Sequence, residues 1–285
     1  MTSHSEIKPN GFAYGVARLA AAAATLALLG APSDDPGFAF ARSLALAGQR
    51  PAAGAAERRA HQRVAAAFRA AGLTVTHDRF RVPRGEGRSR NVIGVVQRPG
   101  RCLWVLMAHA DTVPPSPGAE DNASGVGTLV ALAPRVAGLA PACDVWLVAT
   151  GAEERIYTGQ PDHLGAQALV RRVRTRGRAG DLRWALSLDE VGRGRELWLR
   201  SPALRRFDRR VLAAAKGTGL RTRWVADEGP GNSDHREFGL AGLTAGKLGV
   251  PDNPLRHTAA DRAGRLQAGT FPRVRRLLEA LLRAG

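Results

Sequence analysis

Four short, predominantly apolar runs constrain the fold of this chain more than any other feature of its sequence. They cover residues 91–96, 103–108, 144–150 and 184–188. Strands buried on both faces of a parallel sheet have such sequences. Helical patterns occur at residues 125–136, 164–176, 202–217 and 271–283. We therefore predict an α/β fold, a three-layer αβα sandwich with a mostly parallel, mixed central sheet.

The N-terminal segment has the pattern of an export signal. Residues 12–32 are apolar except for Arg18, and Lys8 precedes them. The segment spans a bilayer only if Arg18 is included. We expect residues 1–33 to be an export signal or membrane anchor and residues 34–285 to form one domain; an Ala-rich helix packed on that domain is the alternative. The expected location is secreted or anchored on the extracytoplasmic side, with membrane contact through this segment only.

The formal net charge of +17 raises the question of a nucleic-acid partner. Most of the positive charge is arginine, scattered through Ala- and Gly-rich helical stretches with few aromatic residues beside it. No nucleic-acid-binding motif accompanies it. We interpret it as a solvated basic surface rather than a nucleic-acid face, and we expect no nucleic-acid partner.

The two cysteines, Cys102 and Cys143, are too few for a disulfide framework and lack the spacing of a zinc knuckle. Both stand at the start of runs that we place as neighbouring parallel strands. Their Cα atoms would then lie about 5–6 Å apart, as a disulfide requires. We predict that they form a disulfide if the protein is exported.

Acidic residues and a histidine cluster after three of the apolar runs, where α/β sheets place their sites. These residues are His109, Asp111, Asp121, Glu153, Glu154, Asp189 and Glu190. Each alone is more typical of a helix cap or a satisfied polar group. Together the carboxylates would repel one another unless cations neutralise them, and carboxylates with histidine suit Zn²⁺. The pattern favours a pair of zinc ions that share a carboxylate.

Several short motifs in order make this pattern more specific. They are His109-x-Asp111, Gly118-Ala119-x-Asp121-Asn122-Ala123-Ser124-Gly125, Glu153-Glu154, Asp189, Ser233-Asp234-His235 and His257-Thr258-x-x-Asp261. Together they resemble the aminopeptidase Y type of co-catalytic di-zinc metallopeptidases, within the zinc exopeptidase superfamily. The resemblance runs from about Gly48 to the C-terminus. It makes residues 34–285 the expected catalytic domain.

The resemblance implies a ligand set for two Zn²⁺ ions. It implies that His109 and Asp189 bind one ion and that Glu154 and His257 bind the other. Asp121 falls at the position of the carboxylate that bridges the two ions.

The resemblance also implies roles beside the metal. Glu153 falls at the position of the general base that activates the zinc-bridging water. Asp111 matches the carboxylate that orients the imidazole of His109. The peptide bond between Asp121 and Asn122 matches one that is often cis.

The chain departs from this family pattern in several places. Arg256 occupies a position that is Tyr in some members, and we expect it to assist the oxyanion or bind a substrate carboxylate. Glu190 directly follows Asp189 and leaves open which of these two carboxylates binds metal. After Glu154, residues 155–163 replace the short Gly-rich continuation that is more usual in the family. We place Asp234 and His235 in the substrate-binding wall or in ordering the loop beside it.

The function that these expectations predict is a zinc-dependent aminopeptidase, acting on peptides or small aminoacyl substrates. A glutaminyl cyclase-like zinc enzyme is an alternative within the same fold. A non-catalytic, peptidase-like interaction domain is a further one, although the complete ligand set and Glu153 argue against it.

Overall fold

The structure, a computed structural model, describes residues 1–2, 34–83, 87–98, 100, 102–154 and 162–283. The expected export signal at residues 1–33 lies outside these ranges apart from its first two residues. Within the described ranges, no helix has the length and apolar character needed to cross a membrane.

Strands and helices alternate along most of the described chain. The strands are β1 Thr74–Val82, β2 Gly87–Val96, β3 Leu103–His109, β4 Asp144–Thr150, β5 Leu182–Leu188, β6 Glu196–Ser201, β7 Arg221–Ala226 and β8 Ala245–Gly249. The helices are α1 Pro36–Leu46, α2 Ala55–Ala70, α3 Ser124–Val136, α4 Leu164–Thr175, α5 Arg206–Ala215, α6 His235–Leu240 and α7 Phe271–Arg283. A kinked segment at Ala119–Ala123, in which Asp121 and Asn122 have non-helical backbone angles, leads into α3.

The strands form one mixed sheet in the order β1-β2-β4-β3-β5-β8-β6-β7. Its centre, β4-β3-β5-β8, is parallel, while β2 joins β4 and β6 joins β8 in antiparallel pairs. The predicted α/β fold is confirmed. The parallel centre explains the apolar runs, because both faces of these strands are covered.

Two apolar clusters, one on each face of the sheet, make the three layers. In β3, Trp104 and Leu106 belong to one cluster and Val105 and Met107 to the other. Alternate side chains of a strand point to opposite faces, so the fully buried strand is packed from both sides. Helices α4 and α6 cover one face, and α1, α2, α3, α5 and α7 cover the other.

A disulfide joins β3 and β4 at the end opposite to the predicted site. Leu103 pairs with Asp144 at the start of the two parallel strands. The preceding residues, Cys102 and Cys143, are therefore neighbours, with Cα atoms 4.7 Å apart and their sulfurs bonded. The predicted pairing is confirmed.

Candidate metal centre

Three adjacent parallel strands bring the predicted residues to one edge of the sheet. Strand β3 ends at His109, while residues 151–154 directly follow β4 and Asp189 directly follows β5. Because these strands are parallel neighbours, their carboxyl ends lie together. The side chains that follow them are buried at this edge, His109 with 1% and Asp189 with 4% of its surface exposed.

Asp121 lies between the two predicted histidine ligands and offers one carboxylate oxygen to each. Its Oδ1 is 3.1 Å from Nε2 of His109, and its Oδ2 is 3.2 Å from Nε2 of His257. Asp189 Oδ1 lies 3.5 Å from Nε2 of His109, and Glu154 Oε2 lies 3.0 Å from Nε2 of His257. The five predicted ligands thus form two clusters that share Asp121, which we call the two metal groups. The His109 group contains His109 and Asp189, and the His257 group contains His257 and Glu154.

The spacing and the donor atoms of both groups fit zinc. Ligand atoms about 2.0–2.2 Å from Zn²⁺ at tetrahedral angles lie about 3.3 Å apart, and the four contacts above span 3.0 to 3.5 Å. Glu154 Oε1 and Asp189 Oδ1 are buried without a hydrogen-bond partner in the described part of the chain. Buried polar atoms are rarely left unpaired. These residues would therefore hold zinc.

The electrostatics of the cluster also favour bound cations. Burial and the nearby charge of Asp121 raise the pKa of Glu154 to about 8. Burial would raise the pKa of Asp121 as well, but hydrogen bonds with His109 and His257 lower it to about 2. One carboxylate keeps its charge while its neighbour resists ionisation, and a metal ion at this place would relieve that repulsion.

Backbone contacts fix the shared carboxylate. Asp261 accepts hydrogen bonds from the amides of Glu120, at 2.8 Å, and Asp121, at 3.0 Å. The Asn122 side chain donates to the carbonyl of Leu188, the last residue of β5, at 2.8 Å. The Asp121–Asn122 peptide is cis, as the resemblance implied.

The adjacent carboxylates Glu153 and Glu154 point in different directions. Glu154 turns towards His257, whereas Glu153 Oε1 lies 3.1 Å from Nε2 of His163. Glu153 also lies beside His109, with ligand atoms within 4.8 Å. Such a position, next to the metal groups but hydrogen-bonded elsewhere, suits a base more than a ligand. His163 lies outside the sequence motifs that predicted the site.

Asp111 holds the segment that carries both glutamates. Its Oδ1 accepts the amide of Glu153 at 3.1 Å, and its Oδ2 accepts the amide of Glu154 at 3.2 Å. The resemblance implies that this carboxylate orients His109, but its Oδ1 lies 3.8 Å from Nδ1 of that ring, too far for a hydrogen bond. The imidazole faces the backbone carbonyl of Asp111 instead, at 3.3 Å, because the carboxylate oxygens already accept amide hydrogens.

The structure separates Asp189 from Glu190, which the sequence left ambiguous. Asp189 faces His109 through Oδ1, and its Oδ2 lies 2.8 Å from Nζ of Lys247. Glu190 adopts a positive φ of 64°, and its Oε1 accepts a hydrogen bond from the Asn253 side chain at 2.7 Å. The sequence motifs did not predict a role for Lys247. The signal that could have identified it is a lysine within the otherwise apolar strand β8.

A cavity of about 420 Å³ opens over both metal groups. Its wall includes the segment from Pro230 to Asn232 together with Glu228 and Arg236. Arg256 also lines it, and its guanidinium lies 3.9 Å from Glu190.

Asp234 and His235 lie beneath this wall rather than on it. Asp234 is fully buried and accepts a hydrogen bond from the Thr150 hydroxyl at 2.6 Å. His235 is buried, with Nε2 3.1 Å from Asp227. Neither residue is among the described residues that line the cavity. Of the two roles expected for them, ordering the loop fits these contacts and binding substrate does not.

Solved structures with the same fold carry two different activities in their names. A zinc aminopeptidase from Bacillus subtilis superposes with a TM-score of 0.77 at 16% identity, over 87% of this chain and 94% of that one. A leucine aminopeptidase precursor from Bacteroides thetaiotaomicron gives 0.76 at 22%, over 88% and 97%. A glutaminyl cyclase from Fimbriiglobus ruber gives 0.77 at 18%, over 90% and 95%. At these identities the likeness shows the fold.

No curated protein matches the chain in sequence. The sequence model of one family, described as peptidase family M28, does match, and it covers residues 91–282. That range contains both metal groups, the segment with the two glutamates and the loop with the second histidine. On this match the chain belongs to peptidase family M28.

Proposed function

We propose that this M28 peptidase is an aminopeptidase that works with two zinc ions. The observation that carries the proposal is the division of the Asp121 carboxylate between His109 and His257, at 3.1 and 3.2 Å. One carboxylate shared by two histidine–carboxylate pairs is a suitable donor set for a two-metal site. His109 and Asp189 would hold one ion, and His257 and Glu154 the other.

Glu153 performs the proton transfers. When bound, the two ions supply Lewis acidity, which acidifies water and polarises the scissile carbonyl. Glu153 lines the cavity, and Asp111 fixes its backbone. It takes the proton from the attacking water and returns it to the leaving amine, a contribution of about 10²–10⁴-fold in rate.

The charge of the cavity supports action at the N-terminus of a peptide. Apart from the three proposed carboxylate ligands, whose charge the zinc ions would neutralise, its described lining carries Glu153, Asp162 and Glu228 against Arg236 and Arg256. A free α-amino group is cationic and is favoured beside such a cluster. Arg256 is positively charged and lines the same cavity. It is placed to bind a substrate carbonyl or carboxylate oxygen.

Glutaminyl cyclisation is the second candidate. Solved glutaminyl cyclases share this fold at TM-scores of 0.76 and 0.77, as high as those of the aminopeptidases. Such an enzyme would use the same cavity but act only on N-terminal glutamine. A non-catalytic interaction domain is disfavoured by the presence of the base and of every proposed ligand at the site.

Chelator-treated protein, titrated with zinc and assayed on aminoacyl nitroanilides and on a glutaminyl peptide, tests the proposal. We expect hydrolysis of several aminoacyl substrates, rising until two zinc ions are bound per chain. Cyclisation of glutamine without hydrolysis of the other substrates would favour the cyclase. No turnover of any substrate would favour the interaction domain.

Export is a separate proposal, supported by the disulfide between Cys102 and Cys143. Disulfides persist in oxidising compartments and are rare in the cytosol. Fractionation of producing cells should place the protein outside the cytoplasm, with both thiols oxidised. Cytosolic protein with two free thiols would contradict the proposal.

A further inference from the structure

His163 lies directly against Glu153, inside the cavity that covers the metal groups. Its Nε2 is 3.1 Å from Oε1 of Glu153, and the two residues are only 2% and 6% exposed. Both line the cavity. At this distance a ring N–H and a carboxylate oxygen form a charge-assisted hydrogen bond, which is strong where water is largely excluded.

The main chain couples the same two residues. The amide of His163 donates to the carbonyl of Glu153 at 3.2 Å, and the amide of Leu164 donates to Ala152 at 3.0 Å. The start of α4 is thus tied to the segment that carries the base. His163 has a positive φ of 56°, a left-handed conformation uncommon for residues other than Gly and Asn.

The other edge of the imidazole is held by charged groups. Its Nδ1 lies 3.4 Å from Asp162 Oδ1 and 3.5 Å from Glu237 Oε1, and Arg236 pairs with Asp162 behind the ring. These contacts direct Nε2 at Glu153. Burial lowers the pKa of His163, but the charge of Glu153 outweighs it and raises the pKa to about 10, so Nε2 keeps its proton.

We propose that His163 is a positioning residue for the general base: its Nε2–H holds one oxygen of Glu153 so that the other faces the attacking water. The inference rests on the proposed aminopeptidase function. A free glutamate side chain must lose rotamer freedom to meet the water, and a fixed donor removes that cost in advance. His163 therefore affects turnover while zinc binding, which the two metal groups complete without it, is unchanged.

Three substitutions separate the side chain of His163 from its backbone conformation. Gln carries an amide donor at about the reach of the imidazole Nε2, but it is strained in the left-handed region. Asn and Gly accept that region more readily, yet Asn is too short to reach Glu153 and Gly has no side chain. A positioning role and a backbone role therefore predict opposite orders of activity.

In zinc-loaded protein, we expect His163→Gln to keep kcat within about threefold of wild type. His163→Asn and His163→Gly should lose about tenfold to a hundredfold in kcat, part of the general-base contribution, with KM and zinc content unchanged. The backbone role predicts the opposite order, because Gln is the least suited of the three to a φ of 56°. If His163→Gln loses kcat while His163→Asn and His163→Gly keep it, the positioning role is overturned.

A double-mutant cycle with Glu153→Gln gives the closing test. Because His163 acts through Glu153, His163→Gly should lower the residual kcat of the Glu153→Gln variant by less than about twofold. A full additional loss in that background, with wild type active, would overturn this inference alone. Wild-type protein without aminopeptidase turnover would refute the proposed function, and the inference with it.

Discussion

The two histidines of the candidate metal centre lie in contrasting surroundings. His109 ends the central strand β3, and its side chain is 1% exposed. His257 lies in the loop after β8 with a φ of 61°, and its side chain is 44% exposed. Asp121 is therefore shared between the His109 group, whose histidine is buried in the core, and the His257 group, whose histidine lies in a partly exposed loop. The first is fixed by the sheet, the second by a loop in contact with water.

Their charge compensation differs in the same way. In the His109 group, the ammonium of Lys247 contacts Asp189 at 2.8 Å, and both side chains are buried. In the His257 group, hydrogen bonds with Asp121 and Glu154 raise the pKa of the exposed imidazole to about 10. Loss of the buried His109 leaves its carboxylate partners without a partner and away from water. Loss of the exposed His257 lets water take its place beside Asp121 and Glu154. The two groups should respond differently to mutation.

The largest effect is expected for His109→Ala. The variant should lose the ion of the His109 group and at least about 10³-fold in kcat/KM, since the Lewis acid supplies several kcal/mol to the transition state. In chelator, its free energy of unfolding should fall by about 3–5 kcal/mol, because buried charges lose a partner. Zinc analysis and denaturant unfolding measure both. If both His109→Ala and His257→Ala lowered the free energy of unfolding in chelator by the same amount, the contrast between the buried and the exposed group would be wrong.

A smaller effect is expected for His257→Ala. Zinc content should fall from two ions to one per chain and turnover by about 10²-fold, with part of the activity returning in excess zinc by mass action. The melting temperature in chelator should stay close to that of wild type, because water solvates the groups left behind. Loss of both ions in this variant would show that the two groups do not bind independently.

The smallest effect is expected for Arg256→Ala, at the exposed edge of the cavity. Its kcat/KM should fall about threefold to tenfold with zinc content unchanged, because the guanidinium is proposed to bind substrate and is not a proposed zinc ligand. Arg256→Lys keeps the charge but loses the planar fork, so it should recover part of the loss. Unchanged kinetic constants in Arg256→Ala would rule out a role in the site.

The contrast also explains what the sequence could predict. Strands β3, β4 and β5 are buried on both faces, so their apolar runs predicted them, and His109, Glu154 and Asp189 follow at or near their ends. Strand β6 escaped prediction because its buried residues alternate with half-buried ones and form no continuous apolar run. Strand β7 alternates arginine with half-buried residues, and β8 is short and contains Lys247.

Contacts that depend on tertiary packing could not be predicted. The His163 contact with Glu153 joins the start of a helix to the end of a strand across the segment from residue 155. The departure of residues 155–163 from the family pattern was the signal available for it. The burial of Asp234 and His235 was likewise hidden, because order along the chain does not reveal which side of a loop faces the cavity.

The most direct test of the account is the zinc content of Glu153→Gln and Glu154→Gln, measured beside their turnover. Glu153→Gln should bind two zinc ions and turn over at least about 10²-fold more slowly, since it removes the base and no ligand. Glu154→Gln should bind zinc more weakly and regain activity in excess metal. Loss of zinc in Glu153→Gln with full zinc and no activity in Glu154→Gln would reverse the roles, and full activity in both would contradict the peptidase mechanism.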